Sequence, residues 1–293
     1  MVAPPSSTPL ADTALSETLR QAAETIASAE ALFIGAGAGM GVDSGLPDFR
    51  GTEGFWTAYP AAARLGLSFS DLANPRWFRD DPERAWGFYG HRLNLYRSIR
   101  PHRGFEVLKT WSSQMDRGGF VYTSNVDGQF QRAGLGRVVE CHGSIHHLQC
   151  AVACSDRIWS ADGAALAVDE EALRCTGPLP RCPDCGAVAR PNILMFGDGG
   201  WDPSRTEEQY LAMADWAGTL FGRRLVVIEL GAGTAIPTVR YRCESLAQQF
   251  GGKLVRINPR AAHGPPGTLS LPLGGLEALE ALEPLCADLA GST

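Results

Sequence analysis

The stretch Gly37-Ala38-Gly39-Met40-Gly41-Val42-Asp43-Ser44-Gly45-Leu46-Pro47-Asp48-Phe49-Arg50 constrains this chain more than any other segment. Ala31-Leu32-Phe33-Ile34 just before it is a short apolar run that reads as a buried parallel strand. The loop therefore falls at a strand's carboxyl end, where open α/β sheets take their ligands. Glycines at such a point let backbone N–H groups come close to phosphate oxygens, so a dinucleotide is the ligand expected. The loop does not follow the dehydrogenase spacing G-x-G-x-x-G. Its Pro-Asp-Phe-Arg tail, a rigid turn carrying acid, ring and base, sets it apart.

Further apolar runs at Phe120-Val121-Tyr122, Val138-Val139, Ile193-Leu194-Met195-Phe196, Leu225-Val226-Val227-Ile228 and Leu254-Val255-Arg256-Ile257 read as strands. Polar, glycine-rich segments follow most of them, as happens when a doubly wound sheet lines a cleft along one edge. With Asp12 as N-cap, Leu15, Leu19, Ala22, Ala23 and Ile26 recur at helical spacing ahead of the first strand. Leu276, Leu279, Leu282 and Leu285 predict a closing amphipathic helix over 276–289. The fold class expected is α/β, a doubly wound, Rossmann-like parallel sheet with a smaller helical and zinc-binding module inserted. Residues 1–11, rich in Pro, Ser and Thr, read as a disordered tail. Residues 12–52, 102–147 and 192–293 form the expected dinucleotide domain. The Trp- and Phe-rich segment 53–101 and the cysteine-bearing segment 148–191 form the module, with the cleft expected between the two.

At 293 residues with 44% hydrophobic content the chain can bury a sizeable core. A net charge of -6 and a pI near 5.6 give no basic footprint for nucleic acid. No run approaches the roughly eighteen apolar residues of a membrane span. Ahead of Arg20 there is neither a basic residue nor a long apolar run, so no secretory or transit leader is read and a cytoplasmic protein is expected. Its eight cysteines are then expected reduced, and their spacing points to metal. Cys182-Pro183-Asp184-Cys185 is a C-x-x-C knuckle, and Cys150 with Cys154 supplies a second pair. Together they offer four thiolates for one tetrahedral, structural zinc. Cys175 is a spare able to replace one ligand, while Cys141, Cys243 and Cys286 read as small buried hydrophobes.

Thr123-Ser124-Asn125-Val126-Asp127-Gly128 and Glu140-Cys141-His142-Gly143-Ser144 each follow a predicted strand. With the 37–50 string they resemble the signatures of the sirtuins, the NAD-dependent protein lysine deacylases: GAG-x-S-x-x-SG-[IL]-PDFR, T-Q-N-[IV]-D and H-G-[ST]. The resemblance covers nearly the whole globular part. Two departures stand out, Gly41 where the family usually has serine and Ser124 where it generally has glutamine, and both alter how the cofactor ribose is held. The resemblance implies NAD as co-substrate, held by Gly37, Ala38, Gly39, Asp48, Phe49, Arg50, Ser124, Asn125, Asp127, Gly231, Gly233, Thr234 and Asn258. It makes His142 the general base, gives Asn125 the ribose or water, and gives Asp127 the nicotinamide carboxamide. A neutral imidazole titrating at about pH 7 suits removal of a ribose hydroxyl proton. Gly231-Ala232-Gly233-Thr234 resembles the family's G-[TS]-S turn, and Ile257-Asn258 the I-N pair on the adenosine ribose. Phe49 would screen nicotinamide. Asp48 and Arg50 read as an ion pair closing the turn, Arg50 also as a phosphate partner. His146 and His147 lack such context and read as helix or turn residues.

Arg190-Pro191-Asn192-Ile193-Leu194-Met195-Phe196-Gly197-Asp198 resembles the R-P-x-[VI]-V-x-F-G-E segment that borders the family's acyl-lysine groove, where a substrate peptide would pair with a strand. Met195 and Phe196 line it by that reading, or one of them is plain core. Tyr89 and Arg92 resemble the Tyr-x-x-Arg acyl pocket of sirtuins acting on succinyl- and malonyl-lysine, where phenol and guanidinium bind a distal carboxylate. Alternatively they are an i, i+3 pair on an exposed helix. Thr52, where that class often has alanine, narrows the tunnel mouth. The activity implied is lysine deacylation releasing nicotinamide and O-acyl-ADP-ribose, with acylated protein lysines as partners and neither nucleic acid nor membrane. ADP-ribosyl transfer or NAD hydrolysis is the alternative, and a non-catalytic NAD or ADP-ribose binding module the third reading.

Overall fold

The computed structural model describes residues 9–47 and 51–291. Asp48, Phe49 and Arg50, three expected cofactor residues, lie outside the described residues, as do positions 1–8 of the expected tail and the side chain of Thr52. Contacts divide the chain into two units, one of Met1–Asp43, His102–Val121 and Asp215–Thr293, the other of Ser44–Pro101 and Tyr122–Ala214. The second takes in more of the chain than the two expected insertions.

In chain order come α1 (Pro9–Ala27), β1 (Ala31–Ala36), a 3-10 segment (Ala38–Ser44), α2 (Gly51–Ala58), α3 (Pro60–Arg64), α4 (Phe69–Leu72), α5 (Trp77–Asp80) and α6 (Pro82–Ser98). Then follow α7 (Arg103–Gln114), β2 (Gly119–Thr123), α8 (Gln129–Arg132), β3 (Val138–Glu140), β4 (Gly143–Cys150), β5 (Trp159–Ser160), β6 (Val168–Asp169), β7 (Arg174–Cys175) and β8 (Ala189–Ile193). Last are α9 (Ser204–Gly218), β9 (Leu225–Leu230), α10 (Thr238–Phe250), β10 (Lys253–Ile257), β11 (Leu269–Leu271) and α11 (Gly275–Ala290).

The main sheet runs β11-β10-β9-β1-β2-β3. Its β1–β9, β9–β10 and β10–β11 pairs are parallel, with Ile228 facing Ile34 on one side and Val255 on the other. β1 and β9 are buried along their whole length, which is why each reads as an apolar run without alternation. On β1, Gly35 admits α10: a Cβ there would stand 2.1 Å from Cys243 Sγ. Helix α1 buries Ala22, Ala23 and Ile26, and α11 buries Ala278, Leu279, Leu282 and Cys286; the two helices pack together, with Cys286 Sγ 3.8 Å from the Ala23 carbonyl. Each leucine fully buried in such a seam contributes about 1.5–3 kcal/mol. α1 already includes Pro9, ahead of the expected N-cap Asp12.

The second unit is built on aromatic packing. Phe55, Tyr59, Phe78, Trp86, Phe88, Tyr89, Leu93 and Tyr96 form one buried cluster with Ile145 and Leu148 of β4 and Ile193 of β8. Tyr59 meets Phe88 edge-on at 5.3 Å and Phe55 meets it at 6.1 Å, the arrangement ring quadrupoles favour. α6 begins at Pro82 behind Asp81, whose carboxylate accepts the Arg84 N–H at 3.3 Å and pairs with Arg174 at 2.9 Å. At its other end Arg132 of α8 donates to the carbonyls of Tyr96, Arg97 and Ile99. Strands β5-β4-β8 form an antiparallel sheet and β6–β7 a short antiparallel pair.

Two expectations are corrected in this unit. The strand expected at 193–196 lies at Ala189–Ile193 instead, an edge strand on which Pro191 removes no needed donor, while Leu194 and Phe196 fall beyond it and are exposed. His146 and His147 sit in β4, where its pairing with β8 shifts register between Ser144 and Leu148. No helix among the described residues is long and apolar enough to cross a membrane.

Candidate functional site

In the first unit β1, β9 and β10 are neighbours and parallel, so their carboxyl ends share one edge, and each leads into an expected motif. The Gly37 N–H donates to the Leu230 carbonyl at 3.0 Å, and the Gly39 N–H to that of Gly231 at 3.1 Å. A Cβ on Gly37 would stand 2.7 Å from Ala232 Cα; one on Gly231, whose φ is +58, would stand 2.5 Å from the Gly39 backbone. These two glycines are therefore required by loop packing on loop before any ligand is considered. Gly233 has open space around it, and Ala38 and Thr234 are exposed. Asn258, 1% exposed, donates from Nδ2 to the Ala232 carbonyl at 3.0 Å and accepts the Arg260 and Ala261 N–H groups at 3.1 Å. Its amide shapes the Gly231–Thr234 turn from beneath. Behind the strands, Arg256 donates to Glu229 and Glu244 at 2.7 Å each, a buried network that the isolated motifs do not announce.

In the second unit two short turns bring the other motifs side by side. Thr123 Oγ1 accepts the Asn125 N–H at 3.0 Å and Asp127 Oδ1 the Gln129 N–H at 2.9 Å, side-chain turns that Thr and Asp are suited to make. The Cys141 N–H donates to the Thr123 carbonyl at 2.9 Å, which places His142 next to the Ser124–Asp127 turn. Burial lowers the His142 pKa below the ordinary histidine value, against a backbone hydrogen bond to Ser124 that raises it. The ring is thus neutral at neutral pH and held by that bond. Burial pushes Asp127 up to about 6, with the Glu140 charge adding to the rise and the Gln129 N–H opposing it. His146 places Nε2 2.9 Å from the Asp127 carbonyl, a support the sequence reading missed because β4 is interrupted there.

The segment expected to border the substrate hangs from the same place. The Leu194 N–H donates to the His142 carbonyl at 3.0 Å, and Gly143, at φ +76, lies so close that a Cβ would meet the Asn192 oxygen at 2.0 Å. Asp198, ion-paired with buried Arg190, accepts the Met195 N–H at 3.2 Å. Of the two candidates here Met195 is core, whereas Phe196 is 40% exposed and meets Phe69 edge-on at 6.2 Å.

Tyr89 and Arg92 are not an exposed pair. Arg92 is 6% exposed, donates to the Tyr96 hydroxyl at 3.0 and 2.8 Å, and lies 5.4–5.8 Å from the ring centres of Phe69, Phe88, Tyr89 and Tyr96. Tyr89 is buried beside it, its phenol pushed up to about 12 by burial. The hydroxyl in contact with the guanidinium is that of Tyr96, one turn on at i+4, a spacing the Tyr-x-x-Arg pattern does not include.

The sulfurs of Cys150, Cys154, Cys182 and Cys185 all lie within 4.8 Å of one another. Cys150–Cys185 and Cys154–Cys182 are 3.7 and 3.6 Å apart. Zn–S bonds of about 2.3 Å at tetrahedral angles would set sulfurs about 3.8 Å apart, so the quartet fits zinc. Burial works against the Cys150 thiolate, but the Cys154 and Val152 N–H groups outweigh it and bring the thiol down to about 7. Cys175 lies in β7 with its sulfur toward the Gly177 carbonyl, outside the quartet. Cys141, Cys243 and Cys286 are buried, as expected.

A parallel sheet presenting glycine loops at neighbouring strand ends, in a chain that also gathers four thiols in the segment 150–186, here called the cysteine ribbon, defines a nucleotide-binding α/β protein with a structural metal module. Comparison with known proteins narrows that class: the Sir2 family profile matches residues 37–217, and the chain belongs to that family. It is 30% identical over 243 residues to an NAD-dependent protein deacylase of Thermococcus kodakarensis, covering 82% of this chain and 84% of the relative. It is likewise 30% identical over 276 residues to an NAD-dependent protein deacylase of Thermus thermophilus, covering 92% and 95%. The fold is similar to that of a Sir2 homologue solved as a histidine-to-asparagine mutant with ADP-ribose, at TM-score 0.69 and 25% identity over 93% of this chain and 98% of the other.

Proposed function

We infer that this chain is an NAD-dependent protein lysine deacylase that releases nicotinamide and O-acyl-ADP-ribose. The observation that carries the reading is His142: a ring kept neutral by burial, held by Ser124 and set beside the Asn125–Asp127 turn. In that state it takes the proton from a ribose hydroxyl as the hydroxyl attacks the acyl carbon. Asn125 holds the ribose or a water, and Asp127, its pKa raised to about 6 and so mostly ionised at neutral pH, accepts from the nicotinamide carboxamide N–H. Gly37, Ala38, Gly39, Gly231, Gly233, Thr234 and Asn258 serve the phosphates and the adenosine side, with Asp48, Phe49 and Arg50 completing the set. Zinc bound by the four cysteines holds the ribbon; a closed thiolate site has no open position and supplies no activated water. A cytoplasmic location suits thiols that must stay reduced.

The acyl preference we assign is for chains ending in a carboxylate, because Arg92 is a buried cation set among rings and a phenol. Mass spectrometry of matched acetyl-lysine and succinyl-lysine peptides with and without NAD tests both statements. NAD-dependent acyl loss paired with acyl-ADP-ribose is expected, with the succinyl peptide faster. Arg92→Met should lower succinyl turnover at least about tenfold while sparing acetyl turnover, the loss of one charge-assisted hydrogen bond. NAD consumption without acyl loss would overturn the deacylase reading in favour of ADP-ribosyl transfer or NAD hydrolysis.

A further inference from the structure

His102 joins two elements of the first unit. It is the N-cap of α7, and its Nδ1 accepts the Gly104 N–H at 3.0 Å. Its Nε2 lies 2.9 Å from the carbonyl of Met40, inside the glycine loop. A carbonyl only accepts and a backbone N–H only donates, so these partners fix the ring as the neutral Nε2–H tautomer. Phe105 packs on the ring at 4.8 Å. A Cβ on Gly104 would come within 2.7 Å of His102 Cε1, so the glycine is what lets the ring lie in this place. Farther along the same loop Asp43 Oδ2 accepts the Leu276 N–H at 2.9 Å, at the start of α11. The loop is tied to the N-terminal ends of two helices, through Met40 to α7 and through Asp43 to α11.

We propose that His102 is a positioning residue for the cofactor, its neutral ring fixing the Met40 carbonyl and so the course of the 37–44 loop on which NAD is to lie. This rests on the NAD reading given above. A histidine that merely capped α7 would be replaceable by any good cap. Asparagine and serine are good caps, yet neither spans from the Gly104 N–H to the Met40 carbonyl as an imidazole does with its two nitrogens on opposite sides. The groups facing the ring are Asp43 from the loop and Glu280 from α11, while Arg103 beside it is paired with Glu283. Burial lowers the His102 pKa, against the Met40 carbonyl and the two carboxylates. The clamp therefore holds at neutral pH. Acidification puts a proton on Nδ1, opposite the Gly104 N–H, and opens it.

The test compares the zinc-loaded full chain with His102→Asn and His102→Ser, reading melting temperature, direct NAD affinity, and KM for NAD and kcat with a saturating acyl peptide. Near-native melting, NAD KM and Kd raised about tenfold and kcat within about twofold are expected for either variant. Wild-type NAD affinity should weaken more than that of the variants as the pH falls below 6.5, the ordinary histidine value beneath which burial has moved this ring. Wild-type NAD affinity in a well-folded variant overturns the inference and leaves the NAD reading standing. A fall in kcat and melting temperature with NAD affinity unchanged overturns it too, showing a cap and nothing more. A wild-type protein that neither binds nor consumes NAD overturns the reading and the inference together.

Discussion

Asp127 shows how one residue's surroundings trade stability for chemistry. Burial raises its pKa from 3.8 to about 6, so the folded state resists ionising it while the unfolded state does not. The stabilisation this gives is complete below about pH 4 and is lost as pH rises toward 6; above that the folded protein carries a cost of about 3 kcal/mol. Asp127→Asn keeps an acceptor for the Gln129 N–H but cannot ionise. Denaturant unfolding should find it more stable than wild type by about 2–3 kcal/mol at pH 7–8, with the difference gone at about pH 4, while deacylation falls sharply. Equal stability at both pH values would show that the carboxylate is solvated in the fold. At this scale Asp127, Asn125, His142 and the glycines were named through the resemblance of their motifs to the sirtuin signatures. The sequence did not disclose why Gly37 and Gly231 must be glycine, since backbone pressing on backbone leaves no pattern in the letters. Nor did it point to Tyr96, because the partner of a buried guanidinium is chosen by packing among several aromatic residues on one helix.

Elements were legible where one physical cause dominated. β1, β9 and β10 are buried on both faces and announce themselves as apolar runs. The run 193–196 carries the same signal, yet only Ile193 belongs to a strand, because apolar content alone does not say whether a run is paired or lies at a surface. Two elements owe their place to single residues. Arg132 satisfies three carbonyls at the end of α6, the helix that carries Tyr89, Arg92 and Tyr96. Arg132→Ala leaves them to water or to nothing and should cost about 1–3 kcal/mol in denaturant unfolding, with Arg132→Lys recovering part of it, since all three carbonyls are met by the one nitrogen Nη1 and an ammonium carries three donors. Gly143 allows His142 and the end of β8 to approach; Gly143→Ala adds both a strained left-handed φ and a collision with the Asn192 oxygen. A loss of about 3 kcal/mol or more is expected, with deacylase activity falling at temperatures where the protein is still folded, as a thermal melt run beside an activity assay would reveal. Unchanged melting would mean that β4 and β8 separate at no cost.

For the molecule as a whole, the alternation of apolar runs with glycine-rich turns predicted the parallel sheet, and the cysteine spacing predicted the ribbon, because both are local patterns repeated at a distance. How the remaining segments are shared between units was not legible: Tyr122–Ala214 groups with the helical segment through the aromatic cluster around α6, a set of long-range contacts with no sequence period. The ribbon's dependence on metal is the property of the whole that can be tested most directly. Four sulfurs within 4.8 Å of one another cannot all be thiolates without a cation to offset their repulsion, and the side-chain ties around them include Asp184 to Ser155 and Arg157. Chelation should release one zinc per chain and open the 150–186 region to limited proteolysis. It should abolish deacylation, although no zinc-bound water takes part, because β4 carries Cys150 at its end and Gly143, next to His142, at its start. The sheet of the first unit, with a core of its own, should keep its far-ultraviolet signal. Cys182→Ser should reproduce the loss, whereas Cys175→Ser should retain zinc and activity because its sulfur lies outside the quartet. If the chelated protein stays protected and active, the ribbon folds without metal, and the thiolate cluster plays no part in holding β4.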